Sequence, residues 1–380
     1  MENRVDINKN NITWAIARAG YDLDEFIATK LPKVREWLDN TNKPTVKQLE
    51  EFSNKVHIPF GYLFLPEPPK EKIPIPFFRT GKQSTTEISL NVYDTIMLLQ
   101  RRQDWLSEYL KEEGFEPLDF CGKYNEYSNP LEIVNDIRKT LGLEENWGSK
   151  FPTWEIAKAH LATKIEELGI IINFNSVVGN SNLRKIDVAE CRGFVLVNEY
   201  APFMFVNADD GKAAQLFTLA HELAHIWTGK SAGFDLQQML PANDPIEWLC
   251  DQVAAEFLVP ATKFNEIWNQ KDSIDFKNIA KYFKVSPIVV ARRALDLGKI
   301  DKGYFFTFYN NYIQEVKNRK DIQNTGGGDF FATQKFRLGL PFMAHLNRAV
   351  KQQKVLYSDA YKLSGLKGDT FHDFIKKQNL

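Results

Sequence analysis

The sequence predicts an α+β chain that is mainly helical, with a small sheet in its middle region and a small all-α module ahead of it. Three observations carry that expectation. Apolar residues recur at intervals of three and four along most of the 380 residues, which is the spacing of amphipathic helices. Short extended runs rich in β-branched and aromatic residues cluster between Ile170 and Asn207, where the helical spacing lapses. Five prolines between Pro66 and Pro76 divide the first helical stretch from everything that follows, at a density no helix tolerates.

Residues 1–66 read as a helical module, with apolar groups at Trp14, Ile16, Ala17 and Ala19, then Leu23, Phe26 and Ile27, then Val34, Trp37 and Leu38, then Leu49, Phe52 and Val56. Thr45, after Pro44, is placed to cap a helix over Val46 to Val56, and His57-Ile58-Pro59 closes it. The prolines make residues 67–85 an extended, fairly stiff linker. Residues 86–150 form a helical connecting region: Ile88, Val92, Ile96, Leu99, Leu106 and Leu110 describe one long helix, and Asn129-Pro130 starts another. Residues 151–310 mix the two structures. A helix from Trp154 to Leu168 runs into Ile170-Ile171-Ile172, extended runs follow at Gly193–Asn198 and Phe203–Asn207, and helical patterns return at Ala213–Trp227, Pro245–Leu258 and Asp275–Leu297. Beyond them residues 311–380 are mainly helical, broken at Gly326-Gly327-Gly328.

The composition, 43% hydrophobic and 26% charged, is that of a folded protein, with enough apolar side chain for more than one core. Forty-eight basic residues against 49 acidic leave a formal charge of −1, so no global field draws the chain to nucleic acid or anionic lipid. Cys121, Cys191 and Cys250 lie far apart and form no C-x-x-C pair, which argues against a disulfide framework and a thiolate zinc knot and for a reducing compartment. Met1 to Asn10 lacks an apolar core, and no run approaches the roughly 18–20 apolar residues of a spanning helix. The expectation is a cytoplasmic protein with no membrane partner.

One segment carries chemistry. Phe217-Thr218-Leu219-Ala220-His221-Glu222-Leu223-Ala224-His225-Ile226-Trp227 is helical in spacing and contains H-E-x-x-H. Four residues on a helix advance about 400°, so His221 and His225 project from one face, about 40° apart, as two imidazoles sharing a tetrahedral ion require. Glu222 is one residue further round, where a carboxylate can act as general base on a metal-bound water without taking a coordination site. Zinc (Zn2+) suits two imidazoles and a carboxylate with one position left for water. A solvated helix with two histidines four apart would also explain the letters. The apolar flanks weigh against it, because two imidazoles and a carboxylate buried among them need a partner.

The next acidic helix, Pro245 to Leu258, offers the third ligand. Glu247 is the first choice, and Asp251, one turn on, is placed to accept a hydrogen bond from a ligand imidazole and fix its tautomer. Glu247 could instead merely complement the helix dipole, with Asp244 a competing ligand. Cys250 reads as packing.

The run Phe217 to His225, followed by Glu247-x-x-x-Asp251-x-x-Ala254-x-x-x-Leu258-x-Pro260, resembles the ImmA/IrrE family of zinc metallopeptidases over roughly residues 150–300. The resemblance implies a zincin-like metallopeptidase domain, with His221, His225 and Glu247 as metal ligands and Glu222 as base. Asp251 stands where that family has asparagine or aspartate. It also implies an intracellular enzyme that cuts a regulatory protein, such as a repressor, and neighbours that include small toxins. Residues 1–66 resemble the XRE-like helix-turn-helix module, through Pro44-Thr45-Val46-Lys47-Gln48-Leu49-Glu50, Pro59 to Pro69 and Phe78-Arg79-Thr80. Between Ala28 and Trp37, however, only eight residues remain, Pro32 among them, too few for a recognition helix that fills a major groove. Lys30, Lys33, Arg35, Lys43 and Lys47 could meet phosphates, but Glu36 and Asp39 are interleaved, so DNA is a weaker partner than protein. Asp275 to Asp301, with Ser286-Pro287 and Arg292-Arg293, has the outline of a second such motif and reads as scaffold first.

Two readings of function remain: an endopeptidase, and an antitoxin or regulatory binding protein that sequesters a partner toxin or controls transcription without proteolysis. Glu222 favours the first, because a binding protein needs no general base there. For the enzyme, Phe205-Val206-Asn207 is the expected sheet edge against which an extended substrate pairs.

Overall fold

The computed structural model describes residues 4–71, 75, 77–79, 88–235, 244–269, 275–320 and 329–380. Pro74, Pro76, Thr80 and the Gly326-Gly327-Gly328 break lie outside them. The described residues fall into two compact units, one from 1–74 with 87–94 and one from 75–86 with 95–380.

The first unit holds α1 (Lys9–Arg18), α2 (Leu23–Thr29), α3 (Val34–Leu38), α4 (Val46–Lys55) and a 3-10 turn at Phe60–Phe64. Its core gathers Ile12, Phe26, Val34, Trp37, Leu49 and Phe52. The Phe52 ring meets those of Phe26 and Trp37 edge-on at 5.9 and 6.0 Å, the favoured aromatic geometry. Thr45 and Gln48 form a reciprocal capping box at the start of α4. Helix α3, which falls where the resemblance leads one to expect a recognition helix, has only five residues. Arg35 is paired with Asp24 and Lys43 with Asp6, so two of the five basic groups already face carboxylates.

The second unit is built around a five-stranded sheet. Its strands are β1 (Phe77–Arg79), β2 (Ile171–Asn175), β5 (Gly193–Leu196), β6 (Phe203–Asn207) and β7 (Ala232–Asp235), in the order β1-β7-β5-β6-β2. The ends pair parallel and the middle antiparallel. A separate two-stranded ladder joins β3 (Val177–Val178) to β4 (Ser181–Lys185). Strand β1 falls inside the stretch expected to be a plain linker, and no alternation in so short a run announces it. The helices are α5 (Leu90–Glu112), α6 (Pro130–Leu141), α7 (Trp154–Glu167), α8 (Lys212–Thr228), α9 (Pro245–Leu258), α10 (Ala261–Asn269), α11 (Phe276–Phe283), α12 (Pro287–Asp296), α13 (Lys302–Lys320), α14 (Phe330–Leu338), α15 (Leu340–Lys351), α16 (Tyr357–Ser364) and α17 (Asp369–Lys377), with the first residues of α5 belonging to the first unit.

One apolar cluster runs through the sheet and α6 to α12. Helix α8 is its centre, with every residue from Gln215 to Thr228 buried. Helices α11 and α12, the second helix-turn-helix outline, bury Ile279, Phe283, Val289 and Val290 in that cluster, and Arg293 Nε donates to the Val259 carbonyl at 3.0 Å. They are scaffold. The C-terminal helices reach the sheet through Gly339, whose φ of +75° no branched residue adopts easily and whose missing Cβ would stand 3.1 Å from the Ile172 carbonyl. No helix among the described residues is long and apolar enough to cross a membrane.

Candidate metal centre

Helix α8 is made of strong formers, Lys-Ala-Ala-Gln-Leu at its start, and stops at Gly229, which takes the left-handed φ of +72°. The chain just ahead of α6 finishes it: the N–H groups of Gly122 and Tyr124 donate to the carbonyls of Ile226 and Trp227, both at 2.9 Å. Helix α9 begins on Asp244, whose side chain accepts from the Ile246 N–H at 2.9 Å, with Pro245 in the first turn. Asp244 is therefore a cap, not a competing ligand. The two helices pack together and bring His221, His225 and Glu247 to one point.

The Glu247 carboxylate there spans the two imidazoles, one oxygen towards each. His225 Nε2 lies 3.1 Å from His221 Nε2, and the two oxygens of Glu247 lie 3.2 Å from His221 Nε2 and His225 Nε2 respectively. His221, Glu222 and His225 have no exposed surface and Glu247 has 1%. On its other side His221 Nδ1 is 3.1 Å from Asp251 Oδ1. With its proton on Nδ1, beside the Asp251 carboxylate, a neutral His221 presents a lone pair at Nε2. The two ring nitrogens and the Glu247 carboxylate then converge, with nearest contacts of 3.1–3.2 Å, which is repulsive unless a proton or a cation stands between them. A tetrahedral ion with bonds of about 2.0–2.1 Å spaces its ligand atoms about 3.3 Å apart, so the donor set fits zinc in both chemistry and size.

Without an ion, protons take the strain. Burial lowers the affinity of His221 for a proton, yet hydrogen bonds to Asp251 and Glu247 and their charges outweigh it and carry its pKa up to about 10. Burial also works against ionisation of Glu247, and the hydrogen bonds from His221 and His225 overcome it, taking the carboxyl down to about 2. His225 moves down, chiefly through burial. Glu222 is pushed up to about 8 by burial, against the pull of His221 and with the help of Glu247. Neither of its oxygens has a hydrogen-bond partner among the described residues.

Sequence reasoning missed what lies against Glu222. Gly193, in β5, is so close that an added Cβ would overlap the Thr218 methyl and stand 3.1 Å from Glu222 Oε1. A glycine inside a strand is the available signal for such an approach. Cys250 is buried with its thiol raised well above the usual value, first by burial and then by the nearby carboxylates, which makes it a packing residue. Phe205, Val206 and Asn207 are not a sheet edge: β6 is paired on both sides, with β5 and with β2, and all three are buried. Asn207 Nδ2 instead donates to the carbonyls of Cys191 and Ile186 at 2.9 and 3.1 Å. An extended substrate cannot pair there.

A cavity of about 500 Å³ lies beside the centre, lined by Phe217, Trp248, Asp251 and Arg292 among others, but by none of the three convergent ligands nor Glu222. The family model described as the IrrE N-terminal-like domain, a peptidase model, matches residues 165–295, a span that holds His221, Glu222, His225, Glu247 and Asp251 together. A second model, a domain of unknown function (DUF8813), matches residues 338–377. Comparison with curated proteins found no match.

Proposed function

We propose that the chain is a zinc-dependent endopeptidase that cuts a regulatory protein, repressor-like or a partner such as a toxin. The observation that carries this reading is the convergence of His221, His225 and Glu247, with nearest contacts of 3.1–3.2 Å, beside a buried carboxylate without a hydrogen-bond partner among the described residues, all inside the span matched by a peptidase model. When bound there by the two Nε2 atoms and the Glu247 carboxylate, zinc would supply a Lewis acid for the scissile carbonyl and acidify the attacking water. Glu222 takes the proton from that water on its carboxylate and delivers it to the leaving amine nitrogen. Its unpaired oxygens and its poised pKa suit both halves of that transfer. Asp251 holds the His221 N–H and so turns the other ring nitrogen inward. Thr218 and the backbone of Gly193 fix the depth of Glu222, and burial keeps stray water from the group.

One observation favours the alternative of a binding protein that sequesters its partner: the described conformation shows the three ligands and Glu222 closed to solvent. The peptidase reading requires that this closure open when substrate arrives. Affinity capture from the native host separates the two. Glu222→Gln keeps the ligands and removes the base, so it should hold an intact partner that wild type yields only as fragments by mass spectrometry. Equal retention of the same intact partner by both forms, with zinc bound in each, would establish sequestration instead.

A further inference from the structure

Away from the metal centre, a cavity of about 360 Å³ opens where the first turn of α8 meets α7, β2 and α14. Its lining is unusual in charge. Lys158, Lys212 and Arg337 all line it and no carboxylate does; the acidic groups whose charge reaches these cations are Glu155 for the two lysines and Asp209 for the arginine. Among the described residues none of the three cations forms an ion pair. Lys158 Nζ donates to Gln215 Oε1 at 2.9 Å and stands 4.6 Å from the centre of the Phe174 ring. Burial first, and then the charge of Lys212, bring its pKa down to about 8 against the pull of Glu155, as expected where cations are gathered with little counter-charge.

The helix end makes the same demand. The first turn of α8 contains no acidic residue and its N-cap Gly211 offers no side-chain hydrogen bond; the carboxylate at this end, Asp210, accepts the Gly211 N–H at 2.8 Å and is paired with Arg192. The first residue of the helix is the cation Lys212. That places positive charge against the positive end of the helix dipole, where an anion belongs. The remaining wall is aromatic. Phe174 and Phe336 meet edge-on with ring centres 6.4 Å apart, and Phe336 is 54% exposed, with Lys335 Nζ 5.9 Å from its ring centre, so a planar group can reach the ring beside a fourth cation.

We infer that this cavity binds a nucleotide, its phosphates on Lys158, Lys212 and Arg337 at the head of α8 and its base against Phe336. The volume is that of a small-ligand pocket. Arg337 and Phe336 come from α14, beyond the peptidase match, so the occupant joins that helix to the one that carries H-E-x-x-H. The inference stands on residues outside the metal centre and does not depend on the peptidase reading.

The test is calorimetric titration of the full chain with each of the four ribonucleoside diphosphates and with pyrophosphate. At least one nucleotide should bind one to one below about 1 mM. The double variant Lys212→Ala, Arg337→Ala should weaken nucleotide and pyrophosphate alike by about tenfold or more, while Phe336→Ala should weaken the nucleotide and leave pyrophosphate unchanged. All three side chains are at least partly exposed, and matching thermal unfolding confirms that the variants fold. Failure of every nucleotide to bind, or binding indifferent to the double variant, overturns the site. Pyrophosphate binding as tightly as the best nucleotide, with Phe336→Ala without effect, overturns the nucleotide in favour of a plain anion.

Discussion

Asp251 touches both the metal centre and the larger cavity beside it: one oxygen faces His221 Nδ1 at 3.1 Å, and the residue forms part of the cavity wall. Its carboxylate sets which nitrogen of His221 carries the proton, and an amide would hold the ring less firmly. Asp251→Asn should therefore lower zinc affinity by about 10–100-fold, measured by competition with a chromogenic chelator; unchanged affinity would reduce Asp251 to packing. Glu222→Gln should leave that affinity nearly intact while cutting turnover by about 10²–10⁴-fold. The protons of the metal-free site make a further prediction. Glu222, raised to about 8, and His221, raised to about 10, hold protons in the folded chain that the unfolded chain gives up at lower pH. Each stabilises fully below its unfolded pKa and loses that contribution as pH rises through its folded value. Glu247, depressed to about 2, works the other way and matters only in acid. The Tm of chelated protein should accordingly fall between about pH 7 and 10, and Glu222→Gln should flatten the first part of that fall. A Tm independent of pH over this window would mean that the groups titrate normally.

At the scale of elements, the packing of β5 on α8 sets how deep Glu222 lies. Gly193→Ala should destabilise the second unit by about 1–3 kcal/mol through overpacking and lower turnover further than that loss of folded protein explains, because the displaced group is Thr218 or Glu222 itself. Asp244→Ala removes the α9 cap and should cost about 1 kcal/mol in chemical denaturation; a loss of zinc far beyond that would mean Asp244 does touch the ion. Helices were legible in the sequence because their signals are local: Thr45, Asn129 and Ser286 each announce a start, and the spacing of His221, His225 and Glu222 is decided by helical pitch alone. The third ligand was legible as a choice among neighbours, narrowed once Asp244 proved to be a cap. Sheet order was not legible. Phe203-Met204-Phe205-Val206-Asn207 does not alternate, the pattern of a strand covered on both faces, yet which strands flank it depends on β2, β5 and β7, from distant parts of the chain. Nor could spacing show that Gly193 would meet Glu222, 29 positions away.

On the scale of the whole molecule, the two compact units lead us to expect two calorimetric transitions. Zinc in excess of its dissociation constant by about 1,000-fold stabilises what binds it by about 4 kcal/mol. Chelation should therefore lower the transition of the larger unit and leave that of the N-terminal helices in place; a single transition shifted as a block would show that the two unfold together. The larger unit is itself more than the matched span of 165–295. The N–H groups of Gly122 and Tyr124 close the end of α8, Phe120 stacks on Trp227 with ring centres 4.5 Å apart, and Asp136 accepts the indole N–H of Trp227 at 2.9 Å. A fragment trimmed to the family boundaries would bare two carbonyls and an indole face at the foot of the helix that carries both histidines. The portable piece of this protein, for recombination in a genome or on a bench, begins no later than Phe120, and a cut made where similarity starts would yield an aggregating product.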